Sequence, residues 1–154
     1  MRRGHRFGDD DHRIGMAHLT GSLDYFSRSS RLPPWAAVLA GGLLGSGVRT
    51  LVGLAFPSGP AAFPTATLVV NLFGSVALGL YITRRERAVV SRISLQFWAI
   101  GVLGSLTTFA TFSVEVLQLI EAGSLATAGV YAATSTLGGL SAAVVGSRFA
   151  EVWR

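Results

Sequence analysis

Apolar positions along the chain fall into four long blocks separated by short polar connections. The blocks cover residues 35–56, 65–82, 93–120 and 124–147, and prolines punctuate the first connection. Each block is close to or above the roughly 20 residues that an α-helix needs to cross the hydrocarbon core of a bilayer. The pattern predicts an all-α integral membrane protein with four transmembrane helices. Because the connections are short, we expect helices that are neighbours in the sequence to pack antiparallel.

The third block contains features that predict a broken helix. Residues 101–115 read GVLGSLTTFATFSVE, so two glycines and a run of hydroxyl and phenyl side chains lie inside an apolar segment. Within a membrane, a helix interruption is tolerated only where protein or water satisfies the freed backbone groups, and channels and transporters use such breaks to bind ions. We therefore predict an interruption near Gly104. The alternative is a continuous helix whose hydroxyls bond back to their own turn.

Composition agrees with a membrane protein and excludes several functions. Half of the 154 residues are hydrophobic, 14% are charged, and the mean hydropathy is +0.51. The absence of cysteine excludes disulfides, thiolate catalysis and cysteine-bound metals. A net charge of +5 could suggest nucleic acid. However, the arginines lie mainly in flanks and connections, where membrane topology explains them better.

The distribution of arginine predicts the orientation. Basic residues flank the blocks at Arg28, Arg31, Arg84, Arg85, Arg87, Arg92, Arg148 and Arg154, while the connections after the first and third blocks have none. With four spans, all these arginines share one side of the plasma membrane, which predicts cytoplasmic N- and C-termini. Residues 1–31 form a polar tail that carries His5, His12 and His18 and no signal-peptide core. We expect a disordered cytoplasmic tail followed by a four-helix transmembrane domain over residues 32–154.

Two polar residues within the first two spans are candidates for function. Arg49 in the first span either snorkels to an interface or faces a water-filled vestibule, where it would attract anions. Asn71 in the second span offers two amide donors that suit a small anion, and the Thr67 hydroxyl lies one turn earlier on the same face. The alternative role of Asn71 is a hydrogen bond between helices.

The last two spans add aromatic and hydroxyl candidates. Phe109 and Phe112 lie one turn apart and alternate with Thr108 and Thr111. The positively polarised edges of their rings could line an anion path, although phenylalanines at this spacing also suit packing. Glu115 closes the run. Tyr131 and Ser135 lie one turn apart. They indicate either a track of hydroxyl groups or only the packing of small residues along Gly138, Ala142 and Gly146.

These motifs resemble the Fluc fluoride channels, also called CrcB proteins. The resemblance runs from Trp35 to the C-terminus and depends on the glycine-rich stretch ending in Arg49, residues 67–71, residues 107–115 and Tyr131. It implies a dimer of antiparallel subunits with two fluoride pores and a structural sodium ion at the dimer interface. The backbone carbonyls of Gly104 and Thr107 would hold that sodium.

The resemblance also assigns roles to side chains. The implied pore-lining residues are Thr67, Asn71, Phe109, Thr111, Phe112, Tyr131 and Ser135, with Arg49 in the vestibule and Glu115 as the acid of the motif. Three positions depart from the family pattern. Ser105 replaces a frequent glycine, Ala110 replaces a frequent serine, and Gly139 replaces a serine of one polar track.

The sequence thus predicts a channel subunit that exports fluoride passively from the cytoplasm, gives fluoride resistance and is not an enzyme. The alternative is a four-helix exporter of the small multidrug type, but that class uses an acid in the first helix, where this chain has Arg49. Because the arginines are so one-sided, we expect the partner to be an oppositely oriented paralogue, and the alternative is a homodimer. We expect the subunit to be surrounded by membrane lipid and not to bind nucleic acid.

Overall fold

The computed structural model describes residues 33–59, 61–87 and 91–152, and the secondary structure of these residues is entirely helical. The helices are α1 (Pro34–Ala55), α2 (Thr65–Arg87), α3 (Arg92–Leu95, then a π-helix over Gln96–Leu103, then Gly104–Leu106), α4 (Phe109–Glu121) and α5 (Leu125–Val152). Helices α3 and α4 together form the third span, so the described residues contain four segments able to cross a membrane. The predicted all-α, four-span architecture with a broken third helix is confirmed. The predicted tail over residues 1–31, with its histidines, Arg28 and Arg31, and also Arg154, lies outside the described residues.

Two helices extend beyond the apolar blocks that predicted them. Helix α2 continues to Arg87 instead of ending at residue 82, and α5 continues to Val152 instead of residue 147. Arg84 and Arg148 therefore lie in helices and not in connections. Arginine is a good helix former, and its long side chain can reach the headgroup region while its apolar stem stays lower. The apolar blocks thus identify the part of each helix that suits the hydrocarbon core, and they do not identify where the helix ends.

The closest helix pairs are alternate spans. Helix α1 packs along α3, and α2 packs along α5, whereas sequence neighbours touch much less. Small residues allow this approach, because a Cβ atom at Gly41 would collide with the Phe97 carbonyl, and one at Gly146 would collide with the Val76 carbonyl. The prediction that sequence neighbours pack together was wrong as a description of the main contacts. Of the predicted small-residue face of α5, Gly138 and Gly146 both lie against α2.

Buried side chains are few and lie where the helix pairs meet. Val70, Leu103 and Leu106 form one buried cluster, and Leu119, Ala128 and Tyr131 form another. Most large apolar side chains elsewhere on the described helices are exposed. For a chain with four apolar spans, such a surface faces lipid or another membrane subunit.

Candidate functional site

The third span breaks at Thr107 and Thr108, about one turn after the position predicted at Gly104. Gly104 itself is helical and follows the π-helix. Thr107 is extended (φ −77°, ψ 150°), and so is Thr108 (φ −148°, ψ 121°), which then caps α4. The Thr108 hydroxyl accepts a hydrogen bond from the Thr111 amide at 3.1 Å, which is the usual contact of a threonine N-cap.

Asn71 on α2 holds the break in place. Its Nδ2 donates to the Thr108 carbonyl at 3.1 Å, and its Oδ1 accepts from the Thr108 amide at 2.8 Å. One side chain thus satisfies both backbone groups of a residue that has left the helix, as a break inside a membrane requires. An asparagine amide has two N–H hydrogens, so one remains for another acceptor. The interhelical hydrogen bond considered as an alternative for Asn71 is therefore present.

The same contacts release the two carbonyls that the family resemblance assigned to sodium. In an unbroken helix, the Gly104 carbonyl would accept from the Thr108 amide, which donates to Asn71 instead. The Thr107 carbonyl would accept from the Thr111 amide, which donates to the Thr108 hydroxyl. Both carbonyls thus lose their α-helical donors. Neutral backbone oxygens of this kind are suitable ligands for an alkali cation.

An open cavity of about 570 Å³, here named the break groove, lies beside the interruption. Its wall contains Asn71, Gly74, Ser75, Leu78, Ala99, Leu103, Gly104, Thr107, Thr108, Phe109, Phe112, Ser135, Thr136, Gly139, Leu140 and Ala143. Six residues of the predicted site therefore share one groove: Asn71, Gly104, Thr107, Phe109, Phe112 and Ser135. The two phenyl rings are tilted, with centroids 5.7 Å apart. The Phe109 ring is 80% exposed in the single chain.

A second polar network, formed by Glu115, Thr67 and Tyr131, lies outside the wall of the break groove. The Glu115 carboxyl accepts from the Thr67 hydroxyl at 2.7 Å through Oε1 and from the Tyr131 hydroxyl at 2.6 Å through Oε2. Tyr131 is fully buried, and its ring lies 5.3 Å from that of Phe112. Glu115 lies in the middle of α4. Thr67 and Tyr131 do not line the break groove.

Two further predicted residues also lie outside the groove wall. Thr111 is exposed on α4, and its hydroxyl accepts from that of Thr108 at 3.1 Å. Arg49 is partly buried on α1, a helix that packs mainly along α3, and does not line the groove. Thr111 thus joins the cluster around Asn71 only through Thr108, whereas no contact links Arg49 to that cluster among the described residues.

Sequence analysis did not assign three hydroxyl residues of the groove wall to the site, namely Ser75, Thr108 and Thr136. Ser75 follows Asn71 by one turn and donates to its backbone carbonyl at 2.8 Å. A Cβ atom added at Gly139, where the family pattern has serine, would lie 3.7 Å from the Ser75 hydroxyl oxygen. The one-turn spacing from Asn71 was the signal that could have identified Ser75. By contrast, the predicted Ser135 hydroxyl is buried and makes no hydrogen bond shorter than 3.5 Å within the described part of the chain, although it lies close to the Tyr131 hydroxyl one turn earlier.

Four spans and a helix break stabilised from a neighbouring helix place the chain among small α-helical membrane proteins with an interrupted span. Within that class, the chain belongs to the CrcB family, whose model, described as CrcB-like protein, Camphor Resistance (CrcB), matches residues 36–147. The match includes every candidate residue from Arg49 to Ser135, and it confirms the family resemblance identified from the motifs.

Curated relatives agree with this assignment. The chain is 43% identical over 101 residues to a protein of Idiomarina loihiensis named fluoride-specific ion channel FluC, covering 65% of this chain and 78% of that protein. It is 42% identical to the protein of that name from Stutzerimonas stutzeri, covering 75% of this chain and 95% of the relative. It is 35% identical to fluoride-specific ion channel FluC 2 of Nocardia farcinica, covering 79% and 91% respectively.

Proposed function

We propose that this protein is a subunit of a fluoride channel that exports fluoride passively across the plasma membrane and so gives fluoride resistance. The observation that carries the proposal is the break groove, where donor groups and phenyl rings meet at the interrupted helix. The names of the relatives supply the identity of the ion. Passive conduction makes and breaks no covalent bond, so the channel has no need of catalytic residues.

The groove provides suitable partners for a small anion along one wall. The remaining Asn71 hydrogen and the unpaired Ser135 hydroxyl are neutral donors, and the edges of Phe109 and Phe112 carry partial positive charge. Weak partners at several sites suit conduction, because an ion must lose water on entry and still be able to leave. A fixed arginine beside these groups would bind the anion more tightly, and Arg49 lies elsewhere on α1.

The groove needs a second subunit to become a closed pore. It is open along one side, and Phe109 is largely exposed there, as is Gly104. These features support a dimer, and its antiparallel arrangement is taken from the family resemblance. The released carbonyls of Gly104 and Thr107 would hold a sodium ion at the dimer interface, where the ion would supply fixed positive charge.

Sodium binding can be tested separately from conduction. In sodium-free buffer, added sodium should raise the unfolding temperature of the purified dimer, and the stabilisation should grow with the logarithm of the sodium concentration once that exceeds the Kd. Potassium at equal concentration serves as the ionic-strength control. Equal effects of the two cations, together with no anomalous or isomorphous ion density at the break, would contradict this assignment.

The arginine distribution supports fixed orientation and a paralogous partner. Arg84 and Arg85 lie near the end of α2, and Arg148 lies near the end of α5. These helices are the second and fourth spans, which end on the same side of the membrane. Placing that side in the cytoplasm agrees with the positive-inside rule and opposes an inverted copy. A C-terminal topology reporter should therefore give only a cytoplasmic signal. Comparable signals on both sides would favour a homodimer instead.

The multidrug-exporter alternative gains no support from the site. That mechanism needs an acid in the first span, and the described first span, α1, contains Arg49 and no acidic residue. Glu115, on α4, is occupied by hydrogen bonds at both carboxyl oxygens.

Fluoride efflux from liposomes tests the proposed function. Vesicles loaded with potassium fluoride should release fluoride when valinomycin removes the opposing potential, and a fluoride electrode measures the rate. Vesicles loaded with potassium chloride are the selectivity control. The subunit is reconstituted alone and with an oppositely oriented paralogue. If both preparations release fluoride no faster than protein-free vesicles with the same potassium fluoride load, the proposed function is refuted.

A further inference from the structure

A second cavity, here named the outer groove, lies between α1, α2 and α3 and has a volume of about 550 Å³. Its wall contains Leu44, Gly45, Val48, Phe73, Ala77, Leu80, Tyr81, Arg84, Ser94, Trp98, Val102, Leu103 and Leu106. On α2, Phe73 and Ala77 line this groove, whereas Asn71 and Ser75 line the break groove. Positions two apart on a helix differ by about 200° in direction, so the two grooves open on opposite sides of α2. A partner that closed the break groove would leave the outer groove facing lipid.

The outer groove has the length of one leaflet. From Phe73 to Arg84 the α2 axis rises about 17 Å at about 1.5 Å per residue. Half of a typical hydrocarbon core is about 15 Å. The groove thus runs from the level of the helix break to the headgroup level on the side of the α2–α3 connection.

Polar groups are confined to one end of the outer groove. The Tyr81 and Ser94 hydroxyls share a hydrogen bond of 3.0 Å between α2 and α3. Arg84 lies one turn beyond Tyr81 and is exposed at the mouth. The remaining wall is apolar. An acyl chain along the wall would therefore place its ester near the hydroxyl pair and its phosphate near Arg84.

We propose that the outer groove is a binding site for an anionic phospholipid of this leaflet. The apolar wall accepts an acyl chain of any phospholipid, and the choice of an anionic headgroup comes from Arg84. Basic pockets between transmembrane helices at headgroup level bind anionic lipids in this way, and each basic residue near the surface favours such a lipid by roughly fivefold. This inference rests on the proposed function in one respect, because a partner that closes the break groove leaves the outer groove accessible to lipid. Lipid binding itself does not depend on fluoride conduction.

Tryptophan fluorescence provides a direct test, because Trp98 lies in the groove wall and is about half exposed. The chain contains three tryptophans, so Trp35→Phe with Trp153→Phe leaves Trp98 as the single fluorophore. The protein is reconstituted in phosphatidylcholine vesicles with a small fraction of brominated lipid. Brominated phosphatidylglycerol should quench Trp98 at roughly fivefold lower mole fraction than brominated phosphatidylcholine.

Two arginine variants separate a site from general surface attraction. Arg84→Gln should remove most of the preference for phosphatidylglycerol, whereas Arg85→Gln, adjacent but outside the groove wall, should retain most of it. Each variant is compared only if it elutes as the same oligomer as the parent protein. Equal quenching by the two lipids in the parent protein, or equal losses in the two variants, would overturn the proposal. Fluoride efflux from the same vesicles is measured separately. If the protein conducts fluoride but shows no preference for phosphatidylglycerol, only the lipid site is refuted.

Discussion

The break groove and the outer groove have similar volumes and share Leu103, yet they differ in where their polar groups lie. In the break groove, amide, hydroxyl and carbonyl groups lie at the level of the interrupted helix. In the outer groove, the polar groups gather at one end beside Arg84. The difference follows from the backbone, because a break at Thr107 and Thr108 must be satisfied by polar partners such as Asn71. Helix interruption, and not cavity size, therefore distinguishes the proposed ion site from the proposed lipid groove.

The largest expected effect comes from placing a negative charge in the break groove. Asn71→Asp removes the Nδ2 donor and sets a carboxylate beside the ion path. Two unit charges about 6 Å apart at an effective dielectric of about 20 repel by about 3 kcal/mol, or about a hundredfold in rate. Liposome efflux should show this loss. Phe73→Leu, two residues along α2 in the outer groove, is the matched control and should conduct normally. Parental flux through a folded Asn71→Asp dimer would remove Asn71 from the pore.

Two tyrosine hydroxyls allow the polar contacts near the two grooves to be compared. Tyr131→Phe removes a buried donor to the Glu115 carboxyl, and a hydrogen bond to a charged group contributes about 1.5–3 kcal/mol. Tyr81→Phe removes a hydroxyl pair with Ser94, worth about 0.5–1.5 kcal/mol. Thermal unfolding of each purified variant should therefore show the greater loss for Tyr131→Phe. The reverse order would mean that Glu115 has another donor when Tyr131 is removed.

The fold was largely predictable, because transmembrane length and hydropathy identify spans without knowledge of their packing. The pairing of alternate spans was not, since it depends on which glycines face each other, such as Gly41 beside Gly101. Asn71 and Ser135 were identified because polar residues stand out in apolar blocks. The exact break was missed because the Asn71 contact with Thr108 joins residues 37 positions apart. The separation of Tyr131 from the groove wall likewise depends on its long-range contact with Glu115.

A smaller effect is expected from the unpaired hydroxyl of the break groove. Ser135→Ala deletes a donor that has no hydrogen-bond partner among the described residues, so little stability should be lost. If that donor assists the passage of fluoride, its removal should slow efflux by up to about tenfold, the effect of a neutral hydrogen bond. Ser94→Ala in the outer groove is the matched control and should leave efflux unchanged. An equal effect of both variants would show that the hydroxyls act through packing and not through contact with the ion.

The smallest expected effect is a gain at Gly139, where the family pattern has serine. A Cβ atom there would lie 3.7 Å from the Ser75 hydroxyl, an ordinary contact, so Gly139→Ser should fold without displacing the wall. The new hydroxyl would add a donor one turn after Ser135 and should raise efflux by about twofold, within the lower range for one hydrogen bond. Gly139→Ala is the control, since it fills the same space without a donor. If Gly139→Ala raises efflux equally, the groove responds to its shape. If neither variant changes the rate, Ser75 already supplies the hydroxyl that this wall requires, and Gly139→Ser with Ser75→Ala should then conduct like the parent protein.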